Sequence, residues 1–93
     1  MQGLIATFDG PICERMTNAI RILGLDPGLR RTGWGVVVVE GSRLSHVAHG
    51  VITPDDSLAL ADRLLILFEA ICAVIAAHEP HEAAVEETFV NTN

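Results

Sequence analysis

The 93-residue sequence predicts one small α/β domain built on a mixed sheet. Hydrophobic residues make up 49% of the chain and charged residues only 19%, a balance typical of a folded core rather than of disorder. Short β-branched runs fill the first half of the chain, and a segment with helical periodicity follows them. A last short apolar run completes the order strand, helix, strand, which is typical of a parallel crossover connection.

The first predicted strand, residues 21–25, is a short apolar run that ends at Asp26 and turns at Pro27 and Gly28. A carboxylate at the end of a buried strand costs desolvation energy unless a charge or a hydrogen bond meets it. Asp26 therefore either caps the turn or holds a cation, and the local sequence leaves both interpretations open.

The second predicted strand, residues 33–40, is rich in β-branched residues. Its run Val36–Val39 predicts a strand that is covered on both faces. Gly41 and Ser42 predict a tight turn into a third strand within residues 43–53. The three strands are therefore expected to form an antiparallel meander.

A helix of about 20 residues is predicted next, because apolar side chains from Leu58 to Ile75 recur every three or four residues and form one stripe. Ser57 or a neighbouring aspartate is expected to cap its N-terminus. Glu79 and Pro80 are expected to end it, because the residue before a proline disfavours helical geometry.

Residues 83–85 form the last predicted strand, which ends on Glu86 and Glu87. If this strand lies parallel to the first, Asp26 and Glu86 converge at one edge of the sheet. Two close carboxylates repel each other unless one takes a proton or both bind a divalent cation. Oxygen ligands without nearby cysteines or paired histidines favour Mg²⁺ or Mn²⁺. A two-metal site normally has about three or four carboxylates, so a solvated strand end remains the alternative.

Residues 1–19 are expected to be an N-terminal extension that is disordered or precedes the natural start of translation at Met16. They lack the basic region and the cleavage site of a secretory signal. No apolar segment reaches the roughly 20 residues of a membrane span. Cys13 and Cys72 form no redox or zinc motif and fit a reducing compartment. The sequence therefore predicts a cytoplasmic protein.

Charge is unevenly distributed along the chain. Its net charge of −6, with six arginines and twelve acids, argues mildly against a nucleic-acid partner. However, Arg21, Arg30 and Arg31 flank Asp26. His46 and His49 are predicted to fall on opposite faces of a strand, and no role is assigned to the four histidines.

Three segments together resemble the N-terminal half of RuvC-type Holliday junction resolvases: residues 22–37 (ILGLDPGLRRTGWGVV), 62–71 (DRLLILFEAI) and 80–93 (PHEAAVEETFVNTN). The resemblance implies that residues 20–93 are the N-terminal half of a ribonuclease H-like nuclease domain, truncated after the parallel strand. It implies, for the intact protein, a Mg²⁺-dependent endonuclease that resolves four-way DNA junctions in recombination and repair. It also implies a homodimer that works with a branch-migration motor.

By this resemblance Asp26 and Glu86 match two of four catalytic, metal-binding acids. Phe89 matches an aromatic wedge that stacks on junction bases, with a core aromatic as the alternative. Arg30 and Arg31 match a loop near DNA, where phosphate contacts or simple solvation are both expected for arginines. The family's other two acids form an Asp-x-x-Asp pair that has no match here, so the 93-residue chain alone is expected not to cut DNA.

Two other functions share this kind of fold. ATPases and sugar kinases related to actin and Hsp70 also begin with a strand and an Asp-x-Gly turn. The turn here carries Arg30, Arg31 and a single hydroxyl, Thr32, which suits a nucleotide phosphate less well. A related nuclease family that acts on ribosomal RNA precursors also begins this way, and an inert remnant is the non-enzymatic alternative.

Overall fold

The computed structural model describes residues 2–7, 18–28 and 30–87, and it describes only the backbone of Gln2–Thr7 and Glu87. The elements in chain order are β1 (Gln2–Thr7), β2 (Ala19–Pro27), β3 (Thr32–Glu40), β4 (Arg43–Ile52), α1 (Leu60–His78) and β5 (Glu82–Glu87). These strands form one mixed sheet in the order β1-β5-β2-β3-β4.

Strands β2, β3 and β4 form the predicted antiparallel meander. Gly41 and Ser42 connect β3 to β4, and Gly41 has a φ of +62°. A positive φ at the first position of a two-residue hairpin loop favours glycine, which adopts it without a steric penalty. β2 is longer than predicted because its pairing with β3 continues through Asp26 to Pro27.

Helix α1 crosses from β4 to β5, and β5 lies parallel to β2, so the predicted mixed sheet is confirmed. The predicted cap is wrong, because the N-cap residue is Ala59, whose side chain has no hydrogen-bonding group. The N–H and the hydroxyl of Ser57 instead donate to the Asp55 carboxylate at 2.9 and 2.8 Å. Among the described elements, no helix combines the length and hydropathy needed to cross a bilayer.

The core lies where β2, β3 and β5 meet, at Leu23, Val36 and Ala83. Val36 is completely buried, whereas residues 37–39 are partly exposed. The prediction that the whole run Val36–Val39 is buried is therefore correct only for Val36. Val74 and Ile75 bring the second half of α1 against this core. The first half of the apolar stripe is uncovered, with more than half of the residue surface exposed at Leu60, Leu64, Leu65 and Phe68.

Strand β1 departs from the expected disorder at residues 2–7 alone. It pairs antiparallel with β5, from Gln2 opposite Glu87 to Thr7 opposite Glu82. An edge strand of this kind is held by main-chain hydrogen bonds to β5. Such pairing does not require alternating apolar residues, so the sequence contains no pattern that predicts it. The other residues before Asn18 lie outside the described residues, and a natural start at Met16 stays a prediction.

Candidate active site

The register of β2 against β5 determines which side chains meet at the carboxyl edge of the sheet. The paired residues are Ile22 with Glu82, Leu23 with Ala83, Gly24 with Ala84, and Leu25 with Val85. The next residue is Asp26 on β2 and Glu86 on β5. Because side chains alternate in step along two paired strands, this register carries both carboxylates to one face and to neighbouring positions.

Both carboxylates are accessible to a cation from solvent. Asp26 is exposed and Glu86 is half-buried. Gly33 lies opposite Asp26 on β3, and a Cβ added to it would lie 4.0 Å from the Asp26 Cβ. The glycine thus leaves the space on that side of Asp26 open.

The donor set fits part of a site for Mg²⁺ or Mn²⁺. Carboxylate oxygens are the ligands that these hard cations prefer. Within residues 18–28 and 30–87, however, no group of three or more histidine, cysteine, aspartate or glutamate side chains could hold a metal ion. The predicted position Phe89 lies outside the described residues, as does the side chain of Glu87.

The turn after Asp26 requires glycine at position 28. A Cβ added to Gly28 would lie 2.6 Å from the carbonyl oxygen of Arg31, closer than real Cβ contacts. This close approach folds the chain back so that Pro27 pairs with Thr32. The turn presents Arg30 and Arg31, both exposed, at the same end of the sheet as Asp26.

These two arginines line a groove between the turn and the first half of α1. Its volume is about 210 Å³, and the described residues that line it are Gly28, Arg30, Arg31, Thr32, Pro54, Leu60, Arg63, Leu64 and Leu67. Sequence reasoning missed Arg63. The available signal was that Arg63 is the single arginine in the apolar segment that forms α1.

Arg21, another arginine that flanks Asp26 in the sequence, has a structural role. Its guanidinium donates to the carbonyl oxygen of His78 at 2.9 Å and to that of Glu79 at 3.0 and 2.6 Å. A cation is favourable at a helix C-terminus, where the carbonyl groups carry partial negative charge. Arg21 therefore holds the end of α1 against β2.

The prediction for His46 and His49 is wrong, because the two rings are neighbours. His46 Nε2 lies 2.9 Å from His49 Nδ1, and the ring centroids are 5.1 Å apart. Val36 pairs with Ala48 and Val37 with His46, so Val47 falls between two consecutive pairs as a β-bulge. The extra residue shifts the alternation of side chains by one position and brings both histidines to one face.

A mixed sheet with a meander, a crossover helix and acids at two neighbouring strand ends defines a ribonuclease H-like α/β domain. The family model described as crossover junction endodeoxyribonuclease RuvC matches residues 22–93. The chain therefore belongs to the RuvC family of crossover junction endodeoxyribonucleases, which confirms the resemblance seen in the sequence.

Curated relatives agree with this assignment. The chain is 78% identical over 74 residues to the crossover junction endodeoxyribonuclease RuvC of Caulobacter sp. (strain K31). The alignment covers 80% of this chain and 44% of the relative. For the protein of that name from Hyphomonas neptunium the identity is 56% over 78 residues, covering 84% of this chain and 47% of the relative.

The fold also matches the structure described as T. thermophilus RuvC in complex with Holliday junction substrate. The TM-score is 0.67 at 23% identity, covering 80% of this chain and 48% of that chain. At this identity the match supports a common fold. The chain thus spans less than half the length of the relatives it matches.

Proposed function

We propose that this chain supplies part of a divalent-metal-dependent endonuclease that resolves four-way DNA junctions in recombination and repair. The observation that carries the proposal is the β2–β5 register, whose last pair is Leu25 with Val85. The residue that follows this pair is Asp26 on β2 and Glu86 on β5. Membership of the RuvC family supports the reaction class, and a Holliday junction is the substrate bound to the T. thermophilus relative.

Asp26 and Glu86 are the residues that would hold the cation, Mg²⁺ or Mn²⁺. When bound, such a cation supplies an activated water and stabilises charge on the phosphodiester oxygens. The two strand ends fix the carboxylates in position, and Arg30 and Arg31 contact backbone phosphates near them. Phe89 stacks on bases of the junction.

The family resemblance supports further proposals for the complete protein. It acts as a homodimer in the cytoplasm, with a branch-migration motor as its partner. A two-metal site normally has about three or four carboxylates, and among the described residues no group of three or more histidine, cysteine, aspartate or glutamate side chains could hold a metal ion. The 93-residue chain by itself therefore does not cleave DNA.

A graft tests the proposed site in the presence of the remaining segments. Residues 22–93 replace the matching segment of the Caulobacter sp. (strain K31) relative, and Mg²⁺-dependent cleavage of a four-way junction is measured. Asp26→Asn and Glu86→Gln are each expected to reduce the cleavage rate at least about a hundredfold, because each removes a ligand of the cation.

Glu40→Gln is the matched control, since Glu40 is an exposed acid at the opposite end of β3. It removes one negative charge and is expected to leave the rate unchanged. Cleavage that survives Asp26→Asn at the level of Glu40→Gln would refute the proposal.

The same protein separates the two alternative functions. Family membership favours the resolvase over an actin-like or Hsp70-like ATPase and over a nuclease for ribosomal RNA precursors. ATP binding at micromolar concentration would support the first alternative. A preference for structured RNA over the four-way junction would support the second.

A further inference from the structure

We propose that Arg63 is a further nucleic-acid-binding residue, which joins Arg30 and Arg31 in a groove that holds one segment of the DNA backbone. The proposal rests on the proposed nuclease function and adds to it a site on α1. The composition, the size and the position of the groove support it.

The charge of the groove is opposite to that of the chain. The chain has twelve acids and six arginines, a net charge of −6. Among the described residues that line the groove, each side chain that carries charge is an arginine: Arg30, Arg31 and Arg63. Two come from the β2–β3 turn and the third comes from α1. Concave walls with charge of one sign attract an oppositely charged ligand, and arginine is well suited to phosphate.

The remaining lining is apolar, with Pro54, Leu60 and Leu64 among its members. Leu60 and Leu64 are 65% and 55% exposed, so the groove is shallow and open at its side. A sugar-phosphate backbone presents anionic phosphates and less polar sugar carbons in alternation. The mixture of arginines and aliphatic side chains matches both parts of such a ligand.

The size of the groove favours a backbone segment over a free nucleotide. Its volume of about 210 Å³ lies below the roughly 300–1,000 Å³ that is typical of pockets for small molecules. The groove is therefore too small to enclose a nucleoside triphosphate as such pockets do. A segment of a polymer lies in an open groove of this size while the rest of the polymer continues over the surface.

The position of the groove is next to the candidate metal site. Gly28 lines the groove and follows Asp26 by two residues, so their Cα atoms are at most about 7.6 Å apart. DNA rises about 3.4 Å per nucleotide along one strand. A phosphate in the groove thus lies within a few nucleotides of a phosphate at Asp26, and Arg63 acts as a positioning residue for the strand that is cut.

The experiment uses the grafted protein, a fluorescein-labelled four-way junction and fluorescence anisotropy in EDTA over a series of NaCl concentrations. Arg63→Gln is expected to raise the dissociation constant about fivefold or more. It is also expected to reduce the slope of log K against log salt by about 0.9, the value for one phosphate contact. A purely structural role would not change this slope.

Arg43→Gln is the matched control, because Arg43 is an exposed arginine at the β3–β4 turn, at the other end of the sheet. It removes the same charge and is expected to leave both quantities unchanged. Arg63→Lys keeps the charge without the planar guanidinium, so it is expected to restore the salt slope and part of the affinity. If Arg63→Gln and Arg43→Gln give the same slope and affinity, the proposal is overturned.

A second variant keeps the test decisive if Arg63→Gln fails to fold. Leu64→Glu places a negative charge on an exposed lining residue and is expected to weaken junction binding about fivefold or more. Unchanged binding would overturn the proposal. Displacement of the junction by micromolar ATP at constant ionic strength would overturn the assignment to DNA. Failure of these tests leaves the Asp26→Asn cleavage result, and with it the proposed function, unaffected.

Discussion

Arg21 and His81 exchange two hydrogen bonds directly ahead of the parallel pairing of β2 with β5. The Arg21 N–H donates to His81 Nδ1 at 2.9 Å, and the His81 N–H donates to the Arg21 carbonyl oxygen at 2.8 Å. Pairing then proceeds from Ile22 and Glu82 onwards. Because the start of a register fixes its end, these bonds help to align Asp26 with Glu86.

His81→Ala is expected to lower the free energy of unfolding of the chain by about 1–3 kcal/mol, because it removes the acceptor of the Arg21 N–H at a site that is only 6% exposed. Urea denaturation, followed by the fluorescence of Trp34, measures the change. His81→Asn retains an acceptor and is expected to recover part of the loss. His49→Ala, at an exposed position, is the control. An equal decrease in the free energy of unfolding for His49→Ala would contradict the stabilising role of the Arg21–His81 hydrogen bond.

Gly50→Ala is expected to displace the indole of Trp34. The added Cβ would lie 2.7–2.8 Å from three atoms of that ring, which also stacks at a tilt on His78 with centroids 5.6 Å apart. Overpacking of this kind costs about 1–3 kcal/mol. Trp34 is the single tryptophan of the chain, so a shift of its emission maximum reports the displacement. Gly35→Ala meets only ordinary contacts and is expected to leave the emission unchanged.

Gly28→Ala is expected to shift the β2–β3 turn, because its Cβ would lie 2.6 Å from the Arg31 carbonyl oxygen. The shift moves Arg30 and Arg31, so junction binding by the grafted protein is expected to weaken about fivefold, the effect of losing one phosphate contact. Fluorescence anisotropy measures it. Gly24→Ala, whose Cβ would meet only ordinary contacts, is the control. Equal binding by the two variants would show that the turn does not position the arginines.

Ser57→Ala is expected to raise the pKa of Asp55 towards its usual value. The Ser57 N–H, and to a lesser degree the hydroxyl, hold the pKa of this carboxyl below that value. The hydrogen bonds to Asp55 therefore stabilise the folded chain at pH values above the pKa that this carboxyl has in the unfolded chain. This stabilisation is lost as pH falls through the lower pKa of Asp55 in the folded chain. An NMR titration of the Asp55 carboxyl measures the change. Ser45→Ala, at an exposed serine of β4, is the control that should leave this titration unaltered.

The elements that could be predicted from the sequence are those with local signals. Gly41 and Ser42 specify the hairpin through turn chemistry, and the three-and-four spacing from Leu58 to Ile75 specifies the helix. The crossover rule predicts a parallel last strand, and the structure shows that its neighbour is β2, with Leu25 paired to Val85 directly before Asp26 and Glu86. The parallel direction of β5 therefore followed from short-range patterns and one topological rule, whereas metal binding by Asp26 and Glu86 stays a prediction.

The features that could not be predicted depend on contacts between distant residues. The bulge at Val47, which pairs His46 with His49, arises from the register of two strands rather than from either strand alone. Strand β1 forms through main-chain pairing, which leaves no pattern in its sequence. The groove exists because α1 brings Arg63 to a turn more than 30 residues earlier. The local spacing of apolar residues contains no information on such contacts between distant residues.

Binding of one divalent cation by Asp26 and Glu86 together is tested by a Mg²⁺ titration of the grafted protein followed by NMR. The signals of both residues are expected to shift with one dissociation constant. Asp26→Asn is expected to abolish the response of Glu86, and Glu40→Gln is expected to preserve it. Shifts with two different dissociation constants, or a Glu86 response that survives Asp26→Asn, would contradict the claim.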